Sequence, residues 1–119
     1  METAVPADGR GPVAARAFVR DCAVPARAVE TTELLASELV TFCIRHAGED
    51  PDARIALRLE RRGDLVRVEA SHPGRPRRGG GDGHTALSLG VIDALAPRWG
   101  VLRDGEGWSG WFEVGCAST

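Results

Sequence analysis

Apolar positions return along this chain in two periods, and the change from one to the other outlines the fold. After Pro12, residues Ala14, Ala15, Phe18, Val19 and Cys22 recur at steps of three and four, with Arg16 and Arg20 on another face. That spacing predicts a short helix opened by proline. A break at "AVPA" leads into a longer one from about Ala26 to Ala47, whose core arc is Ala36, Leu39, Val40, Cys43 and Ala47, with Gly48 as its C-cap. The period then drops to two. Ile55, Leu57 and Leu59 alternate with Arg54, Arg58 and Glu60, and Val66, Val68 and Ala70 alternate with Arg67 and Glu69, so a hairpin turning near Gly63-Asp64 is expected. "HPGRPRRGGGDGH" has the Gly, Pro and Arg content of a mobile loop. From Thr85 as N-cap, "ALSLGVIDALAPRW" predicts a third helix with Leu87, Val91, Ile92 and Leu95 inward, stopped near Pro97. Two last strands, around Trp99 to Leu102 and Trp108 to Val114, flank the Asp-Gly turn of "RDGEG".

Helices gathered apart from a run of antiparallel strands imply an α+β protein, a two-layer sandwich with about three helices on a mainly antiparallel sheet. The expected organisation is a flexible N-terminal segment over residues 1–12, one domain over 13–115 and a short tail over 116–119. A length of 119 residues suits one domain with one core.

Composition narrows the function classes. Hydrophobic residues make up 43% and charged residues 27%, the balance of a globular chain, and no apolar run approaches the roughly 18 residues of a membrane span. "METAVPADGRGP" lacks the basic and apolar regions of a signal peptide, so a cytoplasmic protein with a frayed start is expected. The net charge of -2 argues against nucleic acid as a partner. All 15 basic residues are arginine, which excludes a GxxxxGK[ST] phosphate loop and any lysine Schiff base. The 3 cysteines, Cys22, Cys43 and Cys116, are odd in number and far apart, so free thiols are expected rather than a disulfide framework or a zinc site.

Candidate chemistry centres on "ELVTFCIRHAG", where Glu38, Phe42 and Arg45 share one column of the long helix. A carboxylate there either serves a reaction or solvates a helix face. Trp108 and Trp111, an odd step apart on one strand, must face opposite sides of it. Arg75, Arg77 and Arg78 suit phosphate or an acidic partner, while His72 and His84 flank the loop without the further ligands of a metal site.

Four blocks in order, "ARAFVRD" (Ala15 to Asp21), "ASELVTFCIRHAG" (Ala36 to Gly48), "LVRVEAS" (Leu65 to Ser71) and "IDALAPRWGV" (Ile92 to Val101), resemble the bacterial anti-sigma-factor serine/threonine kinases of the actinomycete type. These are compact members of the histidine-kinase-like ATPase (Bergerat) superfamily. The resemblance runs from about Val13 to Val114 and implies that superfamily's fold and a nucleotide site of three motifs. In the first, a Glu acts in phosphoryl transfer and an Asn four residues on binds magnesium; Glu38 matches the Glu, but the Asn position is Phe42. In the second, an Asp at the end of a strand reads adenine before a glycine turn; His72 stands at the Asp position, followed by Pro73 and Gly74. In the third, a GxGL turn precedes the last helix, and without a gap it falls on Ala86-Leu87-Ser88-Leu89, which has no glycine. Gly79, Gly81 and Gly83 replace it only in a shifted register that also moves the helix start.

The resemblance therefore implies Glu38 as a vestigial catalytic residue, Phe42, His72, Gly74 and Ser88 as mostly substituted nucleotide-site positions, and no protein ligand for a metal. The expected function is a regulatory protein-binding module without kinase activity, engaging a sigma factor or an anti-anti-sigma protein. No cofactor is expected on that reading, no nucleic acid or membrane partner, and a homodimer is left open. The alternative is an active ATP-dependent serine/threonine kinase that uses ATP and magnesium on an anti-anti-sigma partner.

Overall fold

The computed structural model describes residues 1–46, 53–72, 83–104 and 107–116. In chain order the elements are β1 (Glu2–Pro6), α1 (Gly11–Asp21), α2 (Ala26–His46), β2 (Arg54–Arg62), β3 (Leu65–His72), α3 (Gly83–Leu95), β4 (Arg98–Asp104) and β5 (Gly107–Gly115). The five strands make one sheet in the order β1-β2-β3-β5-β4, antiparallel at every pairing. All three helices pack among themselves and onto the strands, giving the α+β two-layer sandwich that the alternation of periods predicts.

The helices form where the sequence favours them. Pro12 stands in the first turn of α1, where its missing N–H costs no intrahelical bond. The backbone N–H of Cys22 donates to Val19 O and Ala23 turns the chain at φ 56 before α2 begins. In α2, Thr32, Ser37 and Thr41 would compete with a helix by bonding the backbone elsewhere. Here the Thr32 hydroxyl donates to Ala28 O at 2.7 Å and the Thr41 hydroxyl to Ser37 O at 2.8 Å, so these polar groups are satisfied within the helix. An Arg20–Glu33 ion pair at 2.8 Å ties α1 to α2.

The core lies between α2 and the inner face of β2, β3 and β5. Leu35, Leu39, Val40, Phe42 and Cys43 from α2 meet Ile55, Leu57, Val66, Val68 and Phe112, all fully or nearly fully buried. Gly110 makes the close approach possible: a Cβ there would come within 2.6 Å of Leu39 Cδ1, so a side chain at this position would force Leu39 to shift. The β2–β3 turn at Gly63-Asp64 uses a positive φ of 59 at Gly63.

Three expectations change. Residues 2–6 are not a frayed start but an edge strand, paired with β2 from Glu2 against Arg58 to Pro6 against Arg54. The signal was faint because only Val5 is buried, and backbone pairing rather than side-chain alternation holds the strand. The third helix begins at Gly83, two residues before the expected N-cap Thr85. Leu95 is 47% exposed instead of inward, because α3 ends there and the adjoining Ala96 takes the buried position. Ala47, Gly48 and most of the Gly/Arg loop lie outside the described residues.

Because Val5 is 2% exposed, Val5→Ala should lower unfolding free energy by about 1–3 kcal/mol. Val13→Ala, at a position 60% exposed, should change it by less than about 0.5 kcal/mol. Urea denaturation of the two variants checks this; equal, negligible losses would mean that the strand contributes nothing.

Candidate functional site

The residues singled out in the sequence converge at one end of the inner face. Phe42, one turn after the half-buried Glu38 on α2, is 2% exposed. Its ring meets Trp108 of β5 edge to face, with centroids 5.8 Å apart and planes at 85°. Trp108 pairs in register with His72, the last residue of β3, which is itself 5% exposed. Buried Phe42 and His72 thus flank the half-buried Trp108 where α2 crosses the ends of β3 and β5. Such an aromatic pair adds about 0.5–1.5 kcal/mol to its burial.

Glu38 flanks this cluster, and Arg45 is half-buried further along α2. Gly74 lies outside the described residues, while Ser88 lies within α3. The placement of Ser88 corrects one expectation. Residues 86–89 are inside the helix rather than in a turn before it, and the helix start falls on Gly83. The shifted register, which sets glycine at the helix N-terminus, is the one that agrees with this start.

Sequence reasoning set Trp108 and Trp111 on opposite faces of their strand but did not count Trp108 among the candidate site residues. The available signal was parity, since Trp108 shares the even positions of β5 with Gly110, Phe112 and Val114, whose buried neighbours mark the inner face. Trp111, at odd parity, lies on the opposite, helix-free face with the Arg67 guanidinium 4.3 Å from its ring centroid.

The cluster's chemistry is apolar. A phenyl ring has no lone pair for magnesium, a cation that takes oxygen ligands, so the residue one turn from Glu38 does not fit that metal. Among the described residues no group of three or more His, Cys, Asp or Glu side chains is placed to hold a metal ion. Cys43, next to Phe42, is no nucleophile either, because burial pushes its thiol up to about 12. Among the described residues no helix is long and apolar enough to cross a membrane.

A recess of about 750 Å³ lies away from this cluster, on the helix-free face. Its floor is a cross-strand row of small residues, Ala56, Ser71 and Ser109, and its wall includes Arg58, Glu69 and Trp111. Charges of alternating sign continue across that face: Glu2, Arg58 and Glu69 in one row, Glu60, Arg67, Glu113 and Arg98 in the next. Arg67 bridges Glu69 at 2.9 Å and Glu113 at 3.4 Å.

Comparison with known proteins places the arrangement. Among solved structures the chain is similar to the histidine kinase domain of the blue-light-activated histidine kinase from Erythrobacter litoralis EL346, at 20% identity and a TM-score of 0.60. The fold is histidine-kinase-like. The likeness covers 91% of this chain but 58% of that one, and at this identity it is a likeness of fold. No protein-family model matches, and no match is found among curated proteins.

The buried thiol gives a pH test. Cys43 keeps its proton in the folded chain up to about 12, whereas its ordinary value is 9.0. The unfolded chain therefore ionises first, so the thiol's contribution to stability is intact below pH 9 and is lost between pH 9 and about 12. Over that window wild type should lose up to about 1.4 kcal/mol per pH unit more than Cys43→Ala. Denaturant titrations at several alkaline pH values check this; parallel losses would show that the thiol is not buried.

Proposed function

We propose that this chain is a regulatory protein-binding module on the histidine-kinase-like fold, similar to the anti-sigma-factor kinases but without kinase activity and with ATP binding lost or much weakened. Its partner on this reading is a protein such as a sigma factor or an anti-anti-sigma protein. The observation that carries the proposal is the burial of Phe42 against Trp108 at the position where the resemblance expects a magnesium ligand. His72 adds to it. A neutral imidazole in place of the expected carboxylate can accept a hydrogen bond but brings no charge to the adenine amino group.

One observation favours the alternative, a working serine/threonine kinase that uses ATP and magnesium on an anti-anti-sigma partner. Gly83 opens α3, so glycine does stand at the helix N-terminus, where backbone N–H groups can approach phosphate. On balance, a helix start can be restored by a shift of register, whereas a ligand replaced by a buried phenyl ring cannot.

Calorimetry with ATP, with and without magnesium, decides between them. The module should show no magnesium-dependent binding at micromolar nucleotide, and such binding would overturn the proposal. Phe42→Asn restores an oxygen ligand but empties a buried ring, so it should cost about 3–5 kcal/mol of stability and still give no ATP binding. An unchanged melting temperature together with gained affinity would identify Phe42 as the rim of a live pocket and the kinase as the right reading.

A further inference from the structure

The recess on the helix-free face lies across the sheet from Phe42 and His72 and has no part in the site described around them. It exists because neighbouring strands set small side chains side by side. Ala56, Ser71 and Ser109 stand opposite one another in register, and Leu102 of β4 is next in that row. One row along, Arg58, Glu69 and Trp111 stand opposite one another and line the recess above that floor. Arg58 and Glu69 are direct cross-strand neighbours, their Cβ atoms about 4.5–5.5 Å apart, yet no ion pair joins them among the described residues. Each is drawn along its own strand instead: Arg58 meets Glu60, and Glu69 accepts from Arg67 Nε at 2.9 Å. Both still face water, their side chains being 54% and 43% exposed. Towards β4 the lining turns apolar, with Trp111, whose ring Arg67 covers on one face, and the exposed Leu102.

We propose that this recess binds a free α-amino acid with a large apolar side chain, its carboxylate at Arg58, its ammonium at Glu69 and its side chain against Trp111 and Leu102. Charge complementarity selects the class. A lone anion would gain Arg58 but meet Glu69 and, on the other side of Arg58, Glu2, while a lone cation would gain Glu69 but meet Arg58. A zwitterion carries both signs on one carbon and answers both neighbours at once. Reach selects the side chain. Trp111 stands one strand over from Glu69 and Leu102 one strand further, each step about 4.8 Å, so a phenyl or indole group extends to them and a methyl group does not. A volume of about 750 Å³ admits such a molecule together with bridging water.

Calorimetric titration of the whole chain with L-phenylalanine tests the proposal. Binding should saturate with a Kd of about 1 mM or below. N-acetyl-L-phenylalanine lacks the ammonium and L-phenylalaninamide the carboxylate, so each should bind about tenfold more weakly, and glycine, without the side chain, should give no measurable heat. Glu69→Gln should weaken L-phenylalanine about tenfold and leave the N-acetyl derivative unchanged, a difference that general damage to the fold would not produce. Ser71→Phe fills the floor from an exposed position, so this variant should keep the wild-type melting temperature and lose binding. The comparison of the three phenylalanine compounds needs no variant and stays decisive if either substitution unsettles the sheet. No saturation by about 20 mM L-phenylalanine, an N-acetyl derivative bound as tightly as the amino acid, or binding that survives in folded Ser71→Phe would overturn the proposal.

Discussion

Everything in this molecule is arranged around the close contact between α2 and β5. Leu39 sits close on the sheet because Gly110 presents no Cβ, and Phe42 of the same helix meets Trp108 at the strand's beginning. α1 and α3 then pack against α2. A helix resting on a sheet gains roughly 25 cal/mol for each Å² of apolar surface removed from water, so close contact along this seam stabilises the layer. The same contact decides the character of the candidate site, because space closed by aromatic packing is no longer available to a polar ligand.

Much of the fold could be read from periodicity, for a physical reason. β2, β3 and β5 are covered on one face only, so their apolar residues alternate, and α2 carries an apolar arc that meets them. The elements that escaped are those stabilised by something other than side-chain pattern. β1 contributes one buried side chain, Val5, and otherwise holds on by its backbone ladder to β2. α3 starts inside a glycine-rich stretch where helix propensity is low and a capping threonine seemed the better signal. Of the candidate site, Glu38, Phe42 and His72 could be named from the sequence alone. The meeting of Phe42 and His72 at Trp108 could not, because it depends on how α2 lies on β5 and on the register between β3 and β5.

The relation between fold and activity is the instructive part. A histidine-kinase-like arrangement of strands and helices is present, and the position one turn from Glu38 holds a buried hydrocarbon ring. Fold and chemistry are separable because the sandwich is held by its core, while catalysis would depend on a handful of residues at one end of it. A ring at this position that packs on tryptophan makes this end of the sandwich part of the core, where an open polar cavity would be a liability for folding.

The alternating rows of glutamate and arginine on the helix-free face carry a kinetic consequence. Neighbouring charges of opposite sign cancel at a distance, so their joint field fades faster than that of a one-signed patch and is weak beyond a Debye length of about 10 Å. A partner approaching this face would not be drawn in from afar. It would meet the surface by unsteered diffusion, at about 10⁵–10⁶ M⁻¹s⁻¹, and added salt would alter that encounter little. Whatever selectivity the face has is exercised after contact, through how long a partner stays.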